Sequence, residues 1–146
     1  MPNHAEKKIL PYTPEQMFDL VADVARYPEF LPWCVAARIR SRDESNIVAD
    51  LIIGFKGLQE CFTSRVSLDK PNLLIEVKYE NGPFKYLINN WKFDSCDVES
   101  CQLDFYVEFE FKSRLLHHVM GVLFHQAVRR MVAAFEARAA VLYGAA

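Results

Sequence analysis

An α+β fold, with a curved antiparallel sheet gripping a long C-terminal helix, is predicted by three features of this 146-residue chain. Apolar residues recur at helical spacing at Leu116, Met120, Leu123, Phe124, Ala127, Val128, Met131, Val132, Phe135, Ala139 and Leu142. That stripe covers close to half of one helix's circumference. Residues 103–111 alternate Leu103, Phe105, Val107, Phe109 and Phe111 with Asp104, Tyr106, Glu108 and Glu110, the period of a strand with one buried face. Short turn-like links separate the strand-like runs, as antiparallel neighbours require. A helix of about thirty residues is a rod of about 45 Å, and its apolar stripe needs a large sheet to cover it.

In chain order, residues 4–10 read as a first strand. Thr13, Pro14 and Gln16 then form a capping box with proline at the first helical position, and Tyr12 and Met17 hold the staple positions. The helix so started buries Met17, Leu20, Val21 and Val24. Pro28 and Pro32 prevent a long helix through residues 24–34, yet the segment is strongly apolar. It reads as one helical turn and a corner that closes an end of the core. Strand-like runs follow at 35–42, 46–55, 58–68, 73–79, 84–93 and 103–111, making seven strands in all. Ser113 can cap the long helix, and Gly144 stands where a glycine ends one. Gln126, Arg129, Arg130 and Glu136 fall away from its apolar stripe.

One domain, residues 1–146, is expected at this length. A net charge of −2 lacks the basic footprint of a nucleic-acid binder, so DNA is not an expected partner. No apolar run is long enough to span a membrane, and the first eight residues are polar with no apolar core behind them, so no secretory leader is expected. Cys34, Cys61, Cys96 and Cys101 form no Cys-x-x-Cys pair and are expected to be reduced thiols. The expected location is the cytoplasm, extending to the periphery of the inner membrane.

Few residues offer catalytic or metal chemistry. His118 and His125 share a helix face about 10 Å apart, too far to chelate one ion, and His117 points about 100° from His118. Asp104, Glu108 and Glu110 alternate toward water, where a carboxyl lacks the raised pKa of a general acid. The segment Gly54-Phe55-Lys56-Gly57 lacks phosphate-loop spacing and reads as a tight hairpin, or as a mobile lip with Phe55 as its latch. No catalytic residue and no metal ligand is assigned. Asn89 and Asn90 interrupt an aromatic strand beside Trp91. Whichever amide points inward needs a hydrogen-bond partner, from the backbone, from water or from a ligand carbonyl.

Three segments carry a resemblance: Tyr27-Pro28-Glu29-Phe30-Leu31-Pro32-Trp33-Cys34; Gly82-Pro83-Phe84-Lys85-Tyr86-Leu87 running to Trp91-Lys92-Phe93; and Val107-Glu108-Phe109-Glu110-Phe111-Lys112-Ser113 with Met131-Val132-Ala133-Ala134-Phe135-Glu136 and Arg138. Together, over nearly the whole chain, they resemble the coenzyme-Q-binding START-like family of the polyketide cyclase and lipid-transport superfamily. One departure is Ser113-Arg114, where relatives often carry Ser-Pro. The resemblance implies a START and Bet v 1-like helix-grip fold with a hydrophobic cavity between sheet and helix. It implies non-enzymatic carriage of ubiquinone or a related polyprenyl lipid, held as ligand rather than cofactor, with transient membrane contact, in support of respiration. Bacterial relatives described as ribosome association toxins add a ribosomal subunit as an alternative partner. A cyclase or aromatase of the wider superfamily is a third reading, and Tyr27, Tyr86 and Tyr106 are its only loose acid–base candidates. The residues expected to line the cavity are Phe55, Phe62, Trp91, Phe105, Met120, Phe124, Val128 and Met131. Each is equally explicable as plain core.

Overall fold

A computed structural model describes residues 3–31, 33–55, 58–82 and 84–144; of residues 55, 58, 116, 117 and 119–125 it describes the backbone only. The chain runs β1 (Asn3–Leu10), α1 (Pro14–Ala22), a 3-10 helix (Val24–Glu29), β2 (Cys34–Arg42), β3 (Asn46–Phe55), β4 (Leu58–Asp69), β5 (Leu74–Asn81), β6 (Phe84–Asp97), β7 (Ser100–Phe111) and α2 (Arg114–Tyr143). The seven strands form one antiparallel sheet in the order β1-β7-β6-β5-β4-β3-β2. One long connection, through α1 and the 3-10 helix, carries the chain from one sheet edge to the other. Every later link is short, so each strand from β3 to β7 pairs with its predecessor.

The predicted local signals are present. Thr13 Oγ1 accepts from the Gln16 N–H at 3.1 Å, and Gln16 Oε1 accepts from the Thr13 N–H at 2.9 Å. Such a cap is worth about 1 kcal/mol. Gly144 has φ +85° and donates to the Ala140 carbonyl at 3.0 Å, ending α2 in the left-handed conformation that glycine takes without steric cost.

Four expectations need correction. Leu73 belongs to the turn before β5, with φ 52°, because the Lys70–Leu73 hydrogen bond closes that turn. The last two strands are longer than the expected 84–93 and 103–111: β6 runs to Asp97 and β7 starts at Ser100, leaving a turn at residues 98 and 99. Leu142 is 49% exposed, as the sheet ends before the last turn of α2. Glu136 is half-buried rather than outward, drawn in by an ion pair to Lys8 of β1.

The buried stripe of α2 is Val128, Val132, Phe135 and Ala139, a helical i, i+4, i+7, i+11 series. It packs on β7, β1 and α1. Residues of β7 alternate without exception, with Cys101, Leu103, Phe105, Val107, Phe109 and Phe111 buried toward the helix.

Candidate functional site

The paired registers place the inner face of the sheet in rows. One row crosses Leu68, Ile75, Trp91, Phe105 and Glu6; the next crosses Ile47, Val66, Val77, Asn89, Val107 and His4; a third holds Ala49, Ser64 and Tyr79 on one side, Leu87 and Phe109 on the other. Accessibility varies across these rows. Trp91, Phe93, Leu103, Phe105, Ile75 and Leu10 are buried. In the row of Asn89 and beyond it, Leu51, Ile53, Phe62, Val77, Tyr79 and Leu87 are only half-buried, although they face inward, while Ala49, Phe84, Phe109 and Phe111 among them are buried. Apolar side chains on an inner face that still reach solvent are the walls a greasy ligand needs.

The closed end is an aromatic junction. Phe135 of α2 meets Tyr27 at 5.4 Å, Phe30 at 5.1 Å and Trp91 at 4.9 Å between ring centroids, all near edge-on. Trp91 also meets Phe105 edge-on at 4.7 Å. The Arg138 guanidinium lies 5.4 Å over the Phe30 ring and donates to Glu29 at 2.8 Å. The corner at residues 24–31 is therefore a clamp on the second half of α2, which gives its aromatic motif a packing reason. At the opposite end, Gly82 has φ 145°, and a Cβ there would come within 2.6 Å of the Phe62 Cβ. Only glycine lets the β5–β6 turn approach β4 so closely, and Phe84 then sits edge-on to Phe62 at 5.7 Å.

Of the eight expected lining residues, Phe62 and Met131 are half-buried on the inner side, whereas Trp91, Phe105 and Val128 are 3%, 2% and 7% exposed. Tight packing on Phe93, Phe105 and Phe135 makes Trp91 the floor of the open half rather than its wall. The side chains of Phe55, Met120 and Phe124 lie outside the described residues. Leu51, Tyr79 and Leu87 also stand half-buried on this face and are not among the eight, because alternation tells which face a residue takes and not how deep it lies. A separate groove of ≈ 530 Å³ opens at the far end of the sheet, lined by residues such as Asp69, Leu73, Lys92 and Asp94. None of the eight borders it.

The polar groups of the interior are few. Asn89 shares the inner face with Trp91: its Oδ1 accepts from the indole Nε1 at 2.8 Å, and its Nδ2 donates to the Tyr106 carbonyl at 2.9 Å. His4 is buried near Phe105, 3.5 Å from Glu6. The phenols are poorly placed for acid–base work. Tyr27 donates to the Val21 carbonyl, and burial above all holds its pKa well above the phenol range. Tyr86 and Tyr106 lie on the outer face and both donate to Glu108. Desolvation, then the Glu108 hydrogen bond, pushes Tyr86 up to about 12, and the two phenols hold Glu108 below its ordinary value. Glu108 is thus hydrogen-bonded rather than merely solvated. Among the described residues no cluster of three His, Cys, Asp or Glu side chains suits a metal ion. All four cysteines are free; burial pushes the Cys101 thiol up to about 11. No helix among the described residues is long and apolar enough to cross a membrane.

A seven-stranded antiparallel sheet around one long C-terminal helix, with an apolar half-open inner face, defines a helix-grip protein of the START and Bet v 1 kind. The crystal structure of the Zhui aromatase/cyclase from Streptomyces sp. R1128 superposes with a TM-score of 0.84 over 94% of this chain and 93% of that one, at 16% identity, a likeness of fold. The family model for polyketide cyclase / dehydrase and lipid transport matches residues 10–136, and the chain belongs to that family. It is 40% identical to the Pseudomonas aeruginosa ribosome association toxin RatA over 145 residues, covering 99% of this chain and 100% of the relative. It is 37% identical to the Xenopus laevis mitochondrial coenzyme Q-binding protein COQ10 homolog B over 144 residues, covering 97% of this chain and 59% of that longer one.

Proposed function

We propose that this protein binds and delivers a polyprenyl quinone, ubiquinone or a close relative, without catalysing a reaction, in support of respiratory electron transport. The observation that carries this reading is the half-open apolar inner face of Leu51, Phe62, Val77, Tyr79 and Leu87, with buried Trp91 as its floor. Burying a CH₂ is worth about 0.8 kcal/mol, so a five-carbon isoprene unit contributes roughly 3–4 kcal/mol gross. Association costs about 4–15 kcal/mol. A few buried units therefore reach useful affinity with no charged contact. On this reading delivery requires transient contact with a membrane surface, and the proposed location is the cytoplasm and the periphery of the inner membrane. The name of the Xenopus laevis relative supports the ligand class. Lipid extraction and mass spectrometry of protein purified from a quinone-producing host test the proposal. A co-purifying quinone is the expected result, and repeated absence of any quinone or prenyl lipid overturns it.

A second reading, association with a ribosomal subunit, is favoured by a different feature. No acidic residue stands between Glu110 and Glu136, and Arg114, His118, Gln126, Arg129 and Arg130 are exposed along α2. This face is basic on a protein whose net charge is −2, and phosphate backbones attract such faces. The name of the Pseudomonas aeruginosa relative points the same way. Lysate sedimentation separates the readings: a carrier stays at the top of the gradient, and a regulator travels with a subunit.

A further inference from the structure

We infer that Asn89 is the head-group anchor of the grip: its one unshared amide hydrogen donates to a ring carbonyl of the bound quinone. The inference rests on the carrier reading and names which part of the ligand sits where.

Position comes first. Asn89 lies on the inner face, one row from the buried Trp91 and Phe105 and one row from the half-buried Tyr79 and Leu87. It is itself half-buried, between Val77 on β5 and Val107 on β7. Polarity comes second. The orientation of its amide is set by chemistry, since the indole N–H can only donate and the Tyr106 carbonyl can only accept. Oδ1 therefore faces Trp91, and one Nδ2 hydrogen goes to Tyr106. One N–H and one Oδ1 lone pair remain. A donor left without a partner beside apolar side chains is unfavourable, and a ligand acceptor satisfies it.

The remaining groups select a ligand class. A ring carbonyl takes the free N–H, and a ring hydroxyl gives its proton to the free lone pair, so one amide serves both the quinone and the quinol. An alkyl chain alone offers neither. The ring then rests near Trp91, and the tail follows Leu87, Tyr79, Phe62 and Leu51 toward the mouth. A structural role alone, orienting Trp91, predicts no preference among ligands.

The test uses the full chain with Trp33→Phe, which leaves Trp91 as the sole tryptophan. Decylubiquinone is titrated by quenching of Trp91 emission, and decylbenzene, with the same tail and no ring oxygens, by displacement. The expected result is an about tenfold preference for decylubiquinone, the worth of one hydrogen bond, which Asn89→Leu abolishes by weakening decylubiquinone alone. An undiminished preference in Asn89→Leu, or none in the parent protein, overturns the anchor and leaves the carrier standing. Failure of the parent to bind either compound overturns the carrier and the anchor with it. Should Asn89→Leu fail to fold by circular dichroism, the preference of the parent protein decides alone.

Discussion

The two halves of the inner face are built from the same residue types and do different things. At the closed half, Trp91, Phe105 and Phe135 interlock edge-to-face beneath the clamp of Tyr27 and Phe30, and Phe93 stacks on Trp91. At the open half, Leu51, Phe62, Tyr79 and Leu87 keep part of their surface accessible. The difference lies in what covers them. The closed half receives α1, the 3-10 corner and the stripe Val128–Val132–Phe135–Ala139. Among the described residues, none of the ring contacts of that corner or of Phe135 reaches Phe62 or Tyr79. On the proposed reading, apolar surface that folding leaves uncovered is available to a ligand, whereas the closed half spends the same surface on stability.

The largest expected effect breaks the closed half. Phe135→Ala removes a ring that touches three others, and truncation of such a residue costs about 3–5 kcal/mol. Urea unfolding measures it; a loss below about 1 kcal/mol contradicts the clamp. Leu87→Ala sharpens the contrast from the other side. The residue is half-buried, so about 1–2 kcal/mol of stability is lost at most, while retention of extracted quinone falls severalfold. A cost as large as that of Phe135→Ala means that the open half is solid core. The smallest effect concerns the outer face of the sheet, remote from both halves. Asp50 is held below the ordinary carboxylate range first by the Thr63 hydroxyl, then by Arg40, at 2.6 and 2.7 Å. Its folded pKa is lower than its unfolded one, so its contribution is present above the unfolded value, about 3.9. It is lost as pH falls through the folded value. Asp50→Asn accordingly flattens the acid limb of stability below about pH 4 and leaves quinone retention unchanged; an unaltered acid limb refutes the assignment.

Much of this was legible in the linear chain. Thr13, Pro14 and Gln16 announce α1 because capping needs only four consecutive residues. The alternation from Leu103 to Phe111 announces β7 because a strand's faces alternate with period two. Leu142 and Glu136 were misplaced for one reason: helical periodicity says which side a residue takes, not where the covering sheet stops or which cation waits there. Trp91 was expected at a cavity wall and lies packed in the floor, since its burial is decided by Phe135, forty-four residues later in the chain. That Asn89, rather than Asn90, points inward was left open by sequence and follows from its pairing with Val77 and Val107.

By itself the sequence determined the order of elements, the inward side of each strand and the shortage of reactive groups, because propensity, caps and alternation act over a few neighbouring residues. Tertiary structure alone decided which inward residues are sealed and which stay open. It also decided that a single amide stands at the boundary. Depth and vacancy depend on what the chain brings over a residue from far away, and no local pattern encodes that.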